Sequence, residues 1–506
     1  MRWRELAMTV GIALGCGRGA PEAAAAPAAA ALPARIEAAL AYATYWGAPG
    51  GSALRSAVFD AAGNLYIAGG TDAATQWPQT GPAAGPLGGF DVIVAKFDAS
   101  GSNLWSRVIG GTTEDYAYVS ALAPDGNLIV GGRAGPGFPV TPGAFATKFA
   151  GGFAVGPHGA TDGFLMSLTP DGDLRWATYV GTSGDDIVRA LEVLPDGSMA
   201  FAGGAQEFDD LPVTPGVVKP KMGGAKDSLL GRLAADGSHV LFLSYFGPSD
   251  DTNHKQDETL RAIALDPSGN LWLGGTTQGT DLTPTPDAFQ PERSTGSSAY
   301  VAKLTPDGRR IVYFSWLGGP GGEDVETEGR ADASGAFLVA GGTTSESGFP
   351  VTPGACSQGA REDGWVARVE ADGKLGMAAR FGGSGRDHVF GPAEDAAGNL
   401  YVGGTTDSKD LPVTTGALLP RFAGGPSDAL FAAFDRTGAL AYATYFGGAG
   451  AEAGRFAAAD AARGRVALIG ETNSTDLTLH AAAQTQPGAV FVAVFQIGAP
   501  AAPDSP

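Results

Sequence analysis

The residues best suited to chemistry in this sequence are carboxylates that follow short glycine-rich turns. They are Glu114 and Asp115, Asp185 and Asp186, Asp250 and Asp251, Glu323 and Asp324, Asp387, and Glu452. Grouped carboxylate oxygens are what a hard cation such as Ca²⁺ requires. Carboxylates that instead accept hydrogen bonds from neighbouring amides make a solvated surface and bind no metal. If the turns converge on one face of the molecule, Asp115, Asp185, Asp186, Glu323, Asp324 and Asp387 form an acidic rim there, and both readings of that rim stay open. A longer polar loop, Pro248 to Thr259, adds Asp250, Asp251, Asn253, His254, Asp257 and Glu258 as ligands for a metal or contacts for a partner. Insertions held on a rigid scaffold are common recognition elements, and a tolerated mobile insertion is the alternative. A second insertion, Ala146 to Thr161, is glycine-rich and carries Phe149, Phe153 and His158.

No catalytic residue is assigned. The five histidines, His158, His239, His254, His388 and His480, form no His-Glu-x-x-His pair, and the chain has no metal-spaced cysteine pair and no Gly-Lys-Ser/Thr phosphate loop. A Gly-x-Ser-x-Gly elbow is missing too. Of the two cysteines, Cys356 in Pro353-Gly-Ala-Cys356 stands where Phe145 and Phe289 stand in sister segments, so it reads as a small buried apolar residue.

The elements that must position these groups are repeated. Asp60-Ala-Ala-Gly-Asn-Leu-Tyr-Ile-Ala-Gly-Gly-Thr71 recurs near Asp125, Asp196, Asp266, Asp332 and Asp395, at intervals of 65, 71, 70, 66 and 63 residues, with a degenerate copy from Ala461 to Thr472. Each unit holds strands of alternating character, such as Leu174 to Val180 and Leu260 to Leu265, joined by turns of the type Asp-x-x-Gly or x-Pro-Asp-Gly. The turn aspartates accept local amide bonds and the glycines take the left-handed conformation, so these carboxylates are turn formers. Seven units of four strands predict an all-β, seven-bladed β-propeller over residues 35–498. The chain opens on a strand lacking its preceding partner, Leu40 to Trp46, and ends on one lacking its following partner, Ala489 to Phe495. Pairing of these N- and C-terminal strands would close the ring. The apolar residues before proline in Phe138-Pro-Val-Thr-Pro142, Leu211-Pro-Val-Thr-Pro215 and Phe349-Pro-Val-Thr-Pro353 read as wedges between blades.

The pattern of Tyr442 to Gly448, Asp395 to Thr406, Phe349 to Ala355 and Asp428 to Phe434 resembles the bacterial SBBP-type β-propeller repeat, from about Leu40 to Ile497. The resemblance implies an exported, surface-exposed propeller and supplies no catalytic residues.

At the N-terminus, Arg2 and Arg4 precede the apolar run Leu6 to Leu14, which ends in Ala13-Leu14-Gly15-Cys16. Residues 1–16 resemble a bacterial lipoprotein signal, with Ala13 where that family carries leucine, and the resemblance implies lipid attachment at Cys16. A secretory signal cut between Ala20 and Ala34 is the alternative, giving a secreted protein. The run is too short to span a bilayer of about 30 Å. Residues 17–34, rich in Ala and Pro, read as a tether, and 499–506 as a disordered tail.

A formal charge of −20 and the lack of a basic patch argue against nucleic acid as a partner. These observations predict a monomeric binding or scaffold module at the cell envelope, touching the membrane through its lipid alone. Its partner would be an envelope protein or polysaccharide, and no cofactor is required beyond a possible Ca²⁺. The alternative is a metal-dependent lyase or hydrolase acting on an extracellular substrate through the central channel.

Overall fold

Twenty-eight strands account for nearly all regular structure in the computed structural model, which describes residues 36–151, 159–206, 208–224, 226–248, 260–360 and 362–498. They form seven four-stranded antiparallel sheets, the blades of a β-propeller. Blades 1 to 6 each use four consecutive strands, over 52–109, 116–180, 186–246, 260–317, 323–381 and 387–446. Blade 7 takes three strands from 452–498 and its outermost from Glu37–Trp46. The terminal strands pair with Leu40 opposite Phe495 and Trp46 opposite Val490, so the ring closes as the phase of the repeat predicts. The most degenerate unit in the sequence thus yields a complete blade.

The core is divided among the joints of the ring. Seven buried clusters each draw on two adjacent blades. The closing joint buries Tyr42, Trp46, Ile67 and Val492 together. Each large apolar side chain buried this way contributes about 1.5–3 kcal/mol. Phe138, Leu211 and Phe349 sit in these joints as the wedge reading expects. Cys356 is buried in the joint of blades 5 and 6, where burial pushes its thiol up to about 11.

The same proline-containing connections cover the outer edge of each blade. The Thr141 and Thr352 amides donate to the outermost strands at Ala177 O (3.0 Å) and Ala378 O (3.0 Å), and in blade 7 Ala43 exchanges two backbone bonds with His480. An outer strand left bare would offer unpaired amides and carbonyls to another chain. The turn aspartates act as expected. Asp60 Oδ1 accepts the amides of Ala62 and Asn64, both at 2.9 Å, and Gly63 stands at φ 85°.

Candidate functional site

In six of the seven blades, all but blade 4, the innermost strand follows a glycine-containing loop, and the first position of that strand or the residue before it is Ser52, Asp115, Asp186, Glu323, Asp387 or Glu452. Asp115, Asp186, Glu323 and Asp387 are buried and turned back into the loop. Asp115 accepts the amides of Gly111 (2.6 Å) and Gly135 (3.1 Å), and Asp186 that of Thr182 (2.7 Å). Asp387 accepts Gly383 N–H and Ser408 O–H, both at 2.7 Å. Glu323 takes the hydroxyls of Thr343 and Ser345, and Glu452 the amide of Gly448 at 2.9 Å. Four of the six residues expected in an acidic rim are therefore clasps that tie the loop to the next blade. The burial comes from the glycines. A Cβ on Gly447 would lie 2.6 Å from Glu452 Oε2 and 2.7 Å from Asp428 Oδ1, so glycine alone lets both carboxyls close over the loop.

A second buried carboxylate, from the third strand of the preceding blade, faces several clasps: Asp91 near Asp115, Asp162 near Asp186, Asp363 near Asp387 and Asp428 near Glu452. Burial raises Asp91 to about 6, Asp162 to about 7 and Asp115 to about 8, outweighing the amide bonds. Each neighbouring charge adds to burial in opposing ionisation of the clasp carboxyl.

The side chains facing the ring axis come three residues after the clasp position: Arg55, Tyr118, Arg189, Arg261, Glu326, Phe390 and Arg455. In blades 1, 2, 3, 4 and 7 this residue is a single β-bulge, skipped between Leu54 and Ser56, Ala117 and Val119, Val188 and Ala190, Leu260 and Ala262, and Gly454 and Phe456. A bulge re-aims a side chain and increases local twist, a frequent device beside functional sites. The re-aimed groups meet from blade to blade. Arg261 Nη1 lies 2.8 Å from Glu326, Arg455 lies over Phe390, and Arg55 and Arg455 both pair with Glu471 at 3.0 and 3.1 Å. Arg55 also lies over Tyr116 and Arg189 over Tyr118.

Blades 5 and 6 depart from this rule. In blade 5 the pairing jumps from Glu326 to Arg330, and in blade 6 from Phe390 to Ala393. The wide bulge of blade 5 holds Glu328 at φ 60°, a strained setting for a non-glycine residue. Glu328 crosses the axis to Ser56 of blade 1 (2.9 Å), which in turn contacts Ser120 of blade 2 (2.9 Å). This bridge floors the channel. Burial raises Glu328 and its neighbour Glu192 each to about 7, partly offset by Arg330.

Above the floor, on the glycine-loop side, a cavity of about 620 Å³ opens between blades 5, 6 and 7. Asp324, His388, Phe390, Arg386, Asp407 and Arg455 are among its lining residues. His388 stacks on Phe390 at 5.0 Å and its Nε2 lies 3.5 Å from both Asp324 Oδ1 and Glu326 Oε1. Among the described residues, these three form the group with metal-ligating atoms all within 4.8 Å of one another. Burial opposes charge on both Asp324 and His388, but each stabilises the other's ion. Asp324 therefore lies below the usual carboxylate range and His388 above the usual imidazole value.

Of the residues singled out from sequence, Glu323, Asp324 and Asp387 line this cavity, and Asp185 meets Thr161 at the loop between blades 2 and 3. Cys16 and the loop residues Asp250, Asp251, Asn253, His254, Asp257 and Glu258 lie outside the described residues, as do Phe153 and His158. The sequence conceals the axial ring, although a signal exists. In every first strand a large polar or aromatic residue stands at this same offset.

No family model matches the chain. The regulatory protein FlaEY of Caulobacter vibrioides is 26% identical over 220 residues, 40% of this chain, and the match spans 22% of that protein's length. Remote structural likenesses include a protein of unknown function from Bacteroides caccae, at 12% identity and TM-score 0.36 over 72% of this chain and 91% of that one. The quinohemoprotein alcohol dehydrogenase of Comamonas testosteroni gives 10% and 0.40, over 93% and 78%. At these values the propeller rests on its own strand pairings.

Proposed function

We propose that this chain is an exported β-propeller, held at the cell envelope through Cys16, that binds a hydroxyl-rich polysaccharide in the channel-mouth cavity. The repeat resembling the SBBP type and the lipoprotein-like leader support the export and anchoring. The observation that carries the binding is the cavity of about 620 Å³, whose lining sets charged and hydroxyl groups beside the aromatic face of Phe390. Its lining mixes acceptors, Glu362, Asp324 and Asp407, with donors, Arg386, Arg455 and Thr405, as sugar hydroxyls demand. The net charge of −20 disfavours a polyanion.

Retention of the purified protein on envelope polysaccharide and on envelope protein fractions tests this. Saturable retention on polysaccharide, lost at least tenfold in Ala453→Trp, which fills the cavity, is the expected result. Retention on the protein fraction alone would overturn the polysaccharide, and retention on neither would overturn binding.

A further inference from the structure

From the geometry at the top of the channel we infer that Asp324, Glu326 and His388 hold a divalent transition ion, zinc or manganese. Asp324 and Glu326 are two apart on one strand and so point to the same face, and His388 occupies in blade 6 the register position of Asp324 in blade 5. His388 Nε2 is a buried atom on a side chain that is 38% exposed, and it makes no hydrogen bond of ordinary length, only ion-pair contacts with the two carboxylates. Its 3.5 Å to each oxygen is long for a hydrogen bond. It is close to the edge of about 3.4 Å expected between ligands of a tetrahedral ion with bonds of ~2.1 Å.

The outer contacts are those of a metal site. The Gly342 amide donates to Asp324 Oδ1 at 2.7 Å and Arg261 holds the second oxygen of Glu326 at 2.8 Å, fixing both carboxylates in place. One imidazole and two carboxylates suit zinc or manganese. Calcium, which takes six to eight oxygens, is poorly matched. The remaining coordination positions face the cavity, where water or a ligand hydroxyl can reach them. The ion would bind whether or not the cavity takes a polysaccharide.

The test is calorimetric titration of the whole protein with Zn²⁺, Mn²⁺ and Ca²⁺, beside the visible spectrum with Co²⁺. One Zn²⁺ or Mn²⁺ per chain is expected, at least tenfold tighter than Ca²⁺, weakened at least tenfold in His388→Gln and in Asp324→Asn. Asparagine keeps an acceptor for the Gly342 amide, so Asp324→Asn should melt as the parent does. Equal binding by the parent and both variants, or no binding by the parent, would overturn the inference.

Discussion

The innermost strands of blades 1, 2, 3, 4 and 7 share one single-residue bulge, whereas those of blades 5 and 6 break register over two or three residues. The regular strands contribute Arg55, Tyr118, Arg189, Arg261 and Arg455 to the channel wall. The irregular pair contributes the channel floor, Glu328, and the clustered Asp324, Glu326, His388 and Phe390. A repeat that copies itself five times and departs twice in adjacent blades concentrates its unusual chemistry at the departure. The regular positions answer to the ring, and the irregular ones are free to answer to a ligand.

The largest effect should come from a clasp in a regular blade. Asp186→Ala leaves the Thr182 amide and hydroxyl without their buried acceptor and should cost about 2–4 kcal/mol in denaturant unfolding. Asp186→Asn, which resembles the protonated acid that burial favours, should cost under about 1 kcal/mol by the same measurement. In the irregular pair, Asp324→Asn should leave stability nearly unchanged and weaken ligand or metal binding. If Asp324→Asn destabilised as much as Asp186→Ala, the division between clasp and site would fail.

Next in size is the response to pH. Asp115, Asp162, Glu192 and Glu328 have folded values of about 7 or 8, raised above those of the unfolded chain. The folded state therefore holds protons that the unfolded state releases, and that stability is lost as pH rises through those values. The turn carboxylates Asp60, Asp266 and Asp332 are lowered and lose their contribution only in acid, as pH falls through their depressed values. The melting temperature should fall by several degrees between pH 5.5 and 8.5, and less so in Asp115→Asn. A flat profile would mean that the paired carboxylates are ionised and neutralised in another way.

Smallest is the strain at the floor. Glu328→Gly should be more stable than Glu328→Ala by about 1 kcal/mol, because both lose the bond to Ser56 and glycine alone accepts φ 60°. Equal stability of the two variants would show that the bulge relaxes once its side chain is gone.

Much of the ring was legible in the sequence because its determinants are local. Asp60 and Gly63 form the same turn wherever the motif recurs, and the unpaired strands at residues 40–46 and 489–495 announce their own partnership. The clasps were misplaced because a carboxylate beside glycine looks solvent-facing in a linear string. Burial of Asp115 depends on Gly111 and Gly135, whose amides reach it from two different loops. The His388 cluster was hidden for a further reason. It joins strands whose first residues, Glu323 and Asp387, are 64 apart, through an alignment across blades, and a bulge shifts the alternation by which facing residues are usually read.

The closing strand also determines how the molecule would respond to mechanical load. Glu37 lies opposite Gly498 and Trp46 opposite Val490, so a force drawing Glu37 away from the sheet acts first on the end pair of this ladder. Hydrogen bonds loaded in that direction break one after another, as in a zipper, whereas sideways shear would strain them all together. A pull that peels Glu37 outward would therefore open blade 7 first, detaching strand 37–46 from its neighbour and from His480.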